Sequence, residues 1–224
     1  IFGILSVVIL VLCGFIPPRP PAVAGQEPKK SLRELIQTPV FRYLYISAFL
    51  NTLALFFPFV FLIPYARMQG IDEVLAASLV GVIGAASILG RLGFGALGVR
   101  FRPIHLLQIA FFLVTTSFIF WMLAANSYLM LLAFAILLGT GYGGFIALSP
   151  TVAAELFGLA GLGSILGTIY TAAGFGGLLG PPMAGYLIDT TGSYTVAIIA
   201  AMALACLAAL FLIPIKRIMS HQVG

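Results

Sequence analysis

The chain has 224 residues, of which 62% are hydrophobic and 8% are charged, and its formal net charge is +5. Soluble domains carry about 25% charged residues, so this composition excludes a water-exposed globular surface and is typical of an integral membrane protein. The basic residues lie in particular loops between long apolar runs, where they report membrane topology, so no nucleic-acid partner is predicted.

Residues 1–16 are apolar, and their pattern predicts the end of a transmembrane helix whose start lies outside the sequence. A short apolar run followed by Ala22-Val23-Ala24 is also typical of a cleaved signal peptide. Cleavage after residue 24 would place the basic residues of the next segment outside the membrane and invert every later loop. The charge distribution described below therefore favours the transmembrane interpretation.

Residues 17–38 form a polar, proline-rich stretch that is predicted to be a cytoplasmic linker. Its Ser31-Leu32-Arg33-Glu34 sequence is a capping-box pattern, which predicts a short helix along the membrane surface before Thr38-Pro39. Six apolar runs follow, each with the roughly 20 residues that a bilayer core requires, at about 40–66, 75–98, 104–125, 128–149, 163–187 and 195–215. No run shows the apolar–polar alternation of a membrane β-barrel, so an all-α polytopic membrane protein is predicted.

Lysine and arginine accumulate in cytoplasmic loops, and this bias orients the spans. With the linker inside, the loops on that side contain Arg19, Lys29, Lys30, Arg33, Arg100, Arg102, Lys216 and Arg217. The outer loops contain Arg67, beside Asp72, Glu73 and Asp189. The C-terminal tail, residues 218–224, is therefore predicted to be cytoplasmic.

A repeat relates two glycine-rich segments. Residues 84–97 and 174–187 share Gly and Leu at matching positions, and by the charge count their helices cross the membrane in opposite directions. Two similar three-helix units of inverted topology are typical of secondary transporters. Residues 39–217 are thus predicted to be one six-helix half of a twelve-helix carrier, with residues 1–16 as the last span of the other half. The absent N-terminal half and the lipid bilayer are the predicted structural partners.

Small residues recur at helical spacing in both repeat segments. They include Gly81, Gly84 and Ser87 in the first, and Gly176, Gly180 and Ala184 in the second. Small residues at this spacing let helix backbones approach closely, so both sets are predicted to be packing contacts.

Arg91 lies nine residues before Arg100, which marks the inner interface, and so is roughly 13 Å inside the membrane. A charge at such depth costs at least about 2.5–3.5 kcal/mol on insertion scales and usually faces a cavity or a transport path. Gly84, Ser87, Arg91 and Gly95 share one helical stripe. A guanidinium with small neighbours has room to bind a carboxylate, so Arg91 and Ser87 are candidate substrate-binding residues. The alternatives are an arginine that extends to the inner headgroups, or one that pairs with another helix.

Few other polar or aromatic groups at membrane depth are candidates for substrate contacts. Asn51 lies in the middle of the first complete span, Tyr142 and Phe145 lie in the fourth, and Tyr170 lies in the fifth. Helix packing is the alternative role for each of them.

The cytoplasmic ends of the spans carry a further set of charged residues. Glu155 is placed beyond the inner end of the fourth span, where Arg100 and Arg102 also emerge, so either a gate salt bridge or a solvated acid is predicted there. Prolines at 58, 64, 150, 181 and 182 are expected to kink or end helices. Cys13 and Cys206 lie in apolar spans, and the titratable residues form no catalytic or metal-binding motif. No enzyme activity, metal or cofactor is predicted.

Four stretches resemble those of one family of carriers, in its seventh, eighth, tenth and eleventh helices. They are Phe57-Pro58-Phe59 with Ile63-Pro64-Tyr65-Ala66-Arg67 and Gly70-Ile71; Gly90-Arg91 with Gly95; Ala154-Glu155-Leu156-Phe157-Gly158; and Leu179-Gly180-Pro181-Pro182 with Gly185, Asp189, Gly192 and Tyr194. Over about residues 39–215 the chain resembles the C-terminal half of the monocarboxylate transporter family of the major facilitator superfamily, as a bacterial-type member.

The resemblance implies proton-coupled symport of lactate- or pyruvate-like anions by alternating access, in a bacterial inner membrane. It also implies that Arg91 binds the substrate carboxylate. Two positions depart from the pattern: Ser87 stands where mammalian members carry an aspartate linked to proton coupling, and Val99 stands where the superfamily's loop motif has an acid. No charged residue lies between Gly163 and Ile188, which counts against the oxalate–formate exchangers, whose eleventh helix carries a lysine. A carrier or exchanger of another organic anion, or an inactive structural fragment, remains the alternative.

Overall fold

A computed structural model describes residues 32–215 and 218. Seven helices occupy this part of the chain: α1 Leu32–Gln37, α2 Pro39–Met68, α3 Glu73–Leu97, α4 Pro103–Met122, α5 Tyr128–Phe157, α6 Leu162–Thr191 and α7 Tyr194–Phe211. The predicted helix end at 1–16, most of the linker with Ser31, Cys13, and all but one residue of the tail lie outside the described residues.

Six of these helices, α2 to α7, are long and apolar enough to cross a membrane, with the last span running to Ile215. The described residues contain no strand. The predicted all-α polytopic fold is therefore confirmed, and α1 lies where the sequence predicts a short helix.

Local capping groups set where several helices begin and end. The Thr38 side chain accepts a hydrogen bond from the Phe41 amide at 3.3 Å, and Asp72 accepts one from the Val74 amide at 2.9 Å. Each satisfies a backbone donor that the first turn of a helix leaves unpaired. Gly192 ends α6 with a φ of 65°, in the left-handed region that glycine enters at little cost.

The predicted end of the fourth span is wrong. The apolar run predicts an end at residue 149, but α5 continues through Pro150 to Phe157. Proline removes one helical hydrogen bond, yet Val152 and Ala153 beyond it are fully buried, and their packing holds the last turns in place. Glu155 consequently lies inside the last turns of α5 rather than in the loop after it. The other four prolines are also inside helices, at Pro58, Pro64, Pro181 and Pro182.

Helix packing follows the predicted inverted repeat. α5 packs mainly against α3 and α4, α2 packs mainly against α6 and α7, and α4 packs against α7. Exchanging α2–α4 with α5–α7 leaves this set of neighbours unchanged, as a two-fold related pair of three-helix units requires. The described helices thus have the arrangement of one six-helix carrier half.

Matched glycines make equivalent contacts in the two units. At Gly90 of α3, the space that a side chain would take is occupied by the Thr140 carbonyl of α5. At Gly180 of α6, a Cβ atom would lie 2.6 Å from the Leu53 carbonyl oxygen of α2. Backbones therefore touch at positions that the repeat aligns, which confirms the packing role predicted for Gly180.

The packing role predicted for Gly81 and Gly84 is wrong within the described residues. Both are exposed, and a Cβ atom at either would have nothing within 4 Å. They lie on the face of α3 that is turned away from α5. Spacing alone does not distinguish that face from the packed one, because α3 carries glycines on both.

The substitution Gly180→Val is expected to remove most folded protein from the membrane. Its branched side chain meets the α2 backbone, which cannot move aside as a flexible side chain can, and overpacking of this kind costs about 1–3 kcal/mol or more. Gly167→Val on the same helix is the matched control, because Gly167 has open space around it. Membrane abundance and thermal stability measure the effect, and equal behaviour of the two variants would contradict the assignment.

The core has two parts, one toward each end of the spans. One part surrounds Trp121, whose ring centroid lies 4.7 Å from that of Phe134 and 4.9 Å from that of Phe57. The other part includes Phe111 and Phe145, whose ring centroids lie 5.6 Å apart. Cys206 of α7 is half-buried with a free thiol.

Candidate functional site

An open cleft of about 290 Å³ lies between α2, α5 and α6. Each helix contributes one stripe of three residues at i, i+3 and i+4: Thr52, Leu55 and Phe56; Tyr142, Phe145 and Ile146; and Tyr170, Ala173 and Gly174. The cleft therefore brings together three of the predicted substrate-binding residues, Tyr142, Phe145 and Tyr170.

The wall of this cleft is mainly apolar and aromatic. Phe145 is buried, Tyr142 is half-buried with its ring 6.0 Å from that of Phe59, and Tyr170 is 41% exposed. The Thr52 hydroxyl donates a hydrogen bond to the Ala48 carbonyl at 2.7 Å. Apolar walls with a few polar groups are typical of small-molecule sites, so the cleft suits a small carbon skeleton.

Arg91 is exposed on α3, well within the membrane-spanning part of that helix. It lies 18 residues after Glu73 and six before Leu97, which corresponds to roughly 27 Å and 9 Å along the axis. Gly84 and Gly95, on the same stripe, have open space where side chains would be. The guanidinium therefore stands on an uncrowded face of the helix.

No carboxylate pairs with Arg91 within residues 32–215. Two ion pairs in that part of the chain join Arg67 to Glu73 at 3.5 Å and Arg102 to Glu155 at 3.6 Å, and neither includes Arg91. A structural ion pair between Arg91 and another of these helices, the alternative role, therefore has no carboxylate partner in that part of the chain.

Ser87 lies one turn from Arg91 but on a buried part of α3. It is 4% exposed, and its hydroxyl donates a hydrogen bond to the Gly84 carbonyl at 2.8 Å. The hydroxyl is thereby engaged with its own helix.

Asn51 is fully buried and is not among the cleft-lining residues. Ser47, one turn before it on α2, donates a hydrogen bond to the Ala208 carbonyl of α7 at 2.7 Å. Residues four apart share a helix face, so Asn51 lies on the side of α2 toward α7. Neither its amide oxygen nor its amide nitrogen has a hydrogen-bond partner in the described part of the chain.

The substitution Asn51→Leu is expected to raise the melting temperature and to leave substrate affinity unchanged. A buried amide without partners costs about 1–3 kcal/mol, which an apolar side chain of similar size avoids. Ser47→Ala is the control, because it removes a hydrogen bond that is made and is expected to lower stability. Lost substrate binding in Asn51→Leu at normal abundance would instead place Asn51 in the site.

The charged residues predicted for the gate lie near the start of α4 and in the last turns of α5. Arg102 Nε lies 3.6 Å from Glu155 Oε1, which links the start of α4 to the last turns of α5, and both side chains are partly exposed. Arg100 is exposed in the turn between α3 and α4 and takes no part in that pair. The Arg102–Glu155 pair lies within one six-helix unit, and as an exposed ion pair it contributes about 0–1 kcal/mol.

Six cleft residues were not predicted from the sequence: Thr52, Leu55, Phe56, Ile146, Ala173 and Gly174. A signal for three of them is present, since helical spacing of three or four residues from Tyr142 and Tyr170 reaches Ile146, Ala173 and Gly174. The three α2 residues offer no comparable signal. The polar residue among them, Thr52, directly follows the candidate Asn51, whose side chain lies on the neighbouring face of the helix.

The sequence of this chain is similar to one known protein family and to several known relatives. The family described as "Uncharacterised MFS-type transporter YbfB" matches residues 1–213. Monocarboxylate transporter 12 of Rattus norvegicus is 34% identical over 142 residues, which are 62% of this chain and 29% of the relative. MFS transporter asaE of Aspergillus flavus is 30% identical over 177 residues, 78% of this chain and 39% of the relative. Monocarboxylate transporter 13 of Bos taurus is 30% identical over 183 residues, 81% of this chain and 42% of the relative.

These relatives are transporters rather than enzymes, and the chain spans less than half of the length of each. The family match covers the described helices α1 to α7. With a transporter family matched over nearly its whole length and six helices fit to cross a bilayer, this integral membrane protein belongs to the MFS transporters, in the family described by YbfB.

Proposed function

We propose that residues 39–217 are the C-terminal half of a secondary active carrier for small monocarboxylates, lactate- or pyruvate-like, which are moved with protons by alternating access. The observation that carries this proposal is Arg91, exposed at membrane depth and without a carboxylate partner in residues 32–215. Two of the relatives carry the name monocarboxylate transporter, which supports the substrate class.

In this proposal residues 1–16 are the last span of the N-terminal half, residues 17–38 are the cytoplasmic linker, and residues 218–224 are a cytoplasmic tail. The chain's coverage of less than half of each relative supports a further six helices in the complete carrier. The membrane is a bacterial inner membrane, as the resemblance to bacterial-type members implies.

Arg91 binds the substrate carboxylate, and the cleft wall contacts its carbon skeleton. A guanidinium presents paired N–H donors that match a carboxylate, and charge-assisted hydrogen bonds of this kind are the strong ones. In the membrane interior such a fixed cation also offsets part of the cost of moving an anion through a medium that disfavours charge. Tyr142, Phe145 and Tyr170 supply the aromatic wall.

At the cytoplasmic end, Arg100, Arg102 and Glu155 form the charged rim of the inner gate. The Arg102–Glu155 pair ties α4 to α5 at this rim. The proton site lies away from the Arg91 turn. Ser87 stands where mammalian members of the family carry an aspartate, and the one carboxylate of α3 is Glu73, at the first residue of the helix.

The same replacement favours a second candidate, exchange of one organic anion for another without protons. Ser87 has no carboxyl group to titrate, and its hydroxyl is bonded to the Gly84 carbonyl. An exchanger needs Arg91 and the cleft but no proton-carrying group.

Transport by the complete parent carrier in proteoliposomes distinguishes these candidates. Labelled lactate and pyruvate are supplied outside, with an inward proton gradient, with no gradient, or with unlabelled anion inside. Uptake that follows the gradient and stops with a protonophore supports symport, whereas uptake that needs internal anion supports exchange. No uptake of either substrate under any condition would overturn the monocarboxylate proposal.

A further inference from the structure

The turn of α3 that carries Arg91 touches α5 backbone to backbone. A Cβ atom on Gly143 of α5 would overlap the Ser87 carbonyl and lie 2.9 Å from the Arg91 amide nitrogen. The reciprocal contact involves Gly90 of α3, where the Thr140 carbonyl of α5 occupies the space that a side chain would take. At both positions the obstacle is backbone, so a side chain could be accommodated only by separating the helices.

This close approach is local to that contact face. Three other glycines of α3, Gly84, Gly93 and Gly95, have nothing within 4 Å of an added Cβ atom. The glycine-rich composition of α3 therefore serves two purposes: an open face around the guanidinium, and a tight seam to α5 at the residues just before it.

Arg91 is not itself a lining residue of the cleft, but the seam joins its turn of α3 to α5, the helix that carries part of the cleft wall. Gly143 directly follows Tyr142, and Phe145 and Ile146 lie within the next turn of α5. Because helices are stiff and this seam has no side chain to compress, the position of the Arg91 backbone is set relative to these three cleft residues.

We propose that Gly143 and Gly90 are positioning residues that set the distance between the Arg91 guanidinium and the aromatic wall, and thereby the length of carboxylate that the carrier prefers. This inference rests on the proposed function, in which the substrate is held at both ends. An anion bound by its carboxylate at Arg91 and by its carbon skeleton at the wall must match that distance, so a shift of the seam favours some chain lengths over others.

The test measures transport of a series of straight-chain monocarboxylates from two to six carbons by the complete carrier and its variants. In Gly143→Ala and Gly90→Ala, the KM for the best native substrate is expected to rise about tenfold, which corresponds to about 1.4 kcal/mol of lost binding free energy. The KM of a longer homologue is expected to rise less or to fall, so that the preferred length shifts upward. The maximal rate per folded carrier is expected to stay within about twofold of the native value.

Two substitutions are matched controls. Gly141→Ala crowds the same helix, but against α4, where a Cβ atom would lie 2.6 Å from the Ala110 carbonyl oxygen and 2.8 Å from a Val114 methyl carbon. It is expected to lower thermal stability without changing the length preference. Gly84→Ala enters open space and is expected to change neither.

The outcomes separate this inference from the proposed function. Absence of monocarboxylate transport by the native carrier, or full transport by Arg91→Gln, defeats the proposed function and this inference with it. Transport that depends on Arg91 but keeps the native length preference in Gly143→Ala and Gly90→Ala defeats this inference alone. The inference also fails if Gly141→Ala shifts the preference equally, or if both seam variants are missing from the membrane while Gly141→Ala is present, since the seam is then purely structural.

Discussion

Arg91→Gln in the complete carrier is expected to lower monocarboxylate uptake about 10- to 100-fold at equal membrane abundance. Hydrogen bonds to a charged group contribute about 1.5–3 kcal/mol, and each 1.4 kcal/mol corresponds to a tenfold change in affinity. Glutamine keeps a polar side chain, although a shorter one, and removes both the charge and the guanidinium's paired donors. Stability is expected to be unchanged or higher, because Arg91 has no ion-pair partner within residues 32–215.

Initial rates of labelled-substrate uptake, normalised to carrier in the membrane, measure this loss. Arg91→Lys is expected to retain part of the activity, since lysine keeps the charge without the planar fork that matches a carboxylate. Arg42→Gln is the matched control, because it removes the same charge from an exposed side chain near the start of α2 that has no role in the proposed site or gate. Native uptake in Arg91→Gln would show that the guanidinium serves the membrane interface and not the substrate.

Trp121→Ala is expected to destabilise the six-helix unit by about 3–5 kcal/mol, the range found when large aromatic core residues are truncated. Trp121 is fully buried in α4, where its ring contacts Phe57 of α2 and Phe134 of α5 at 4.9 Å and 4.7 Å between centroids. Its removal leaves a cavity between three helices from both halves of the repeat. The loss is one of packing, since neighbouring atoms forfeit their dispersion contacts.

Thermal unfolding of the purified carrier measures this effect, monitored as the fraction of carrier that stays monodisperse after heating. Trp121→Phe is the informative partner: the indole N–H has no hydrogen-bond partner in the described residues, so phenylalanine gives up no hydrogen bond there. Trp121→Phe is expected to lower the stability by well under half as much as Trp121→Ala does. Equal losses in the two variants would mean that the indole N–H makes a bond essential to the fold.

The spans and their order follow from information that is local in the sequence. Hydropathy over about 20 residues is enough to locate a transmembrane helix, and the six runs predicted from it contain the cores of α2 to α7. The ends of helices are harder, as α5 shows. Pro150 is a local signal to stop, while the burial of Val152 and Ala153 by other helices outweighs it.

The candidate site divides in the same way. Arg91 could be identified from the sequence, because a charge within an apolar run is costly wherever the helix packs. Tyr142, Phe145 and Tyr170 could be nominated but not placed together, since they lie on two helices whose contact involves α2 as well. The burial of Asn51 is consistent with the local sequence. A polar residue in mid-span faces either a cleft or a neighbouring helix, depending on how its helix is rotated about its own axis. Hydropathy does not report that rotation.

The sequence by itself determined the class of protein, the six apolar spans of the described residues, the inverted repeat and the charged residue at membrane depth. Each of these depends on composition or spacing along one helix. Only the tertiary structure decided which glycines are packed and which are open, where Thr52 and Asn51 face, and that Gly143 and Gly90 join the Arg91 turn to the cleft wall. Those facts depend on contacts between helices distant in the chain. In a bilayer, where both packed and lipid-facing surfaces are apolar, no hydrophobic stripe marks in the sequence which face makes them.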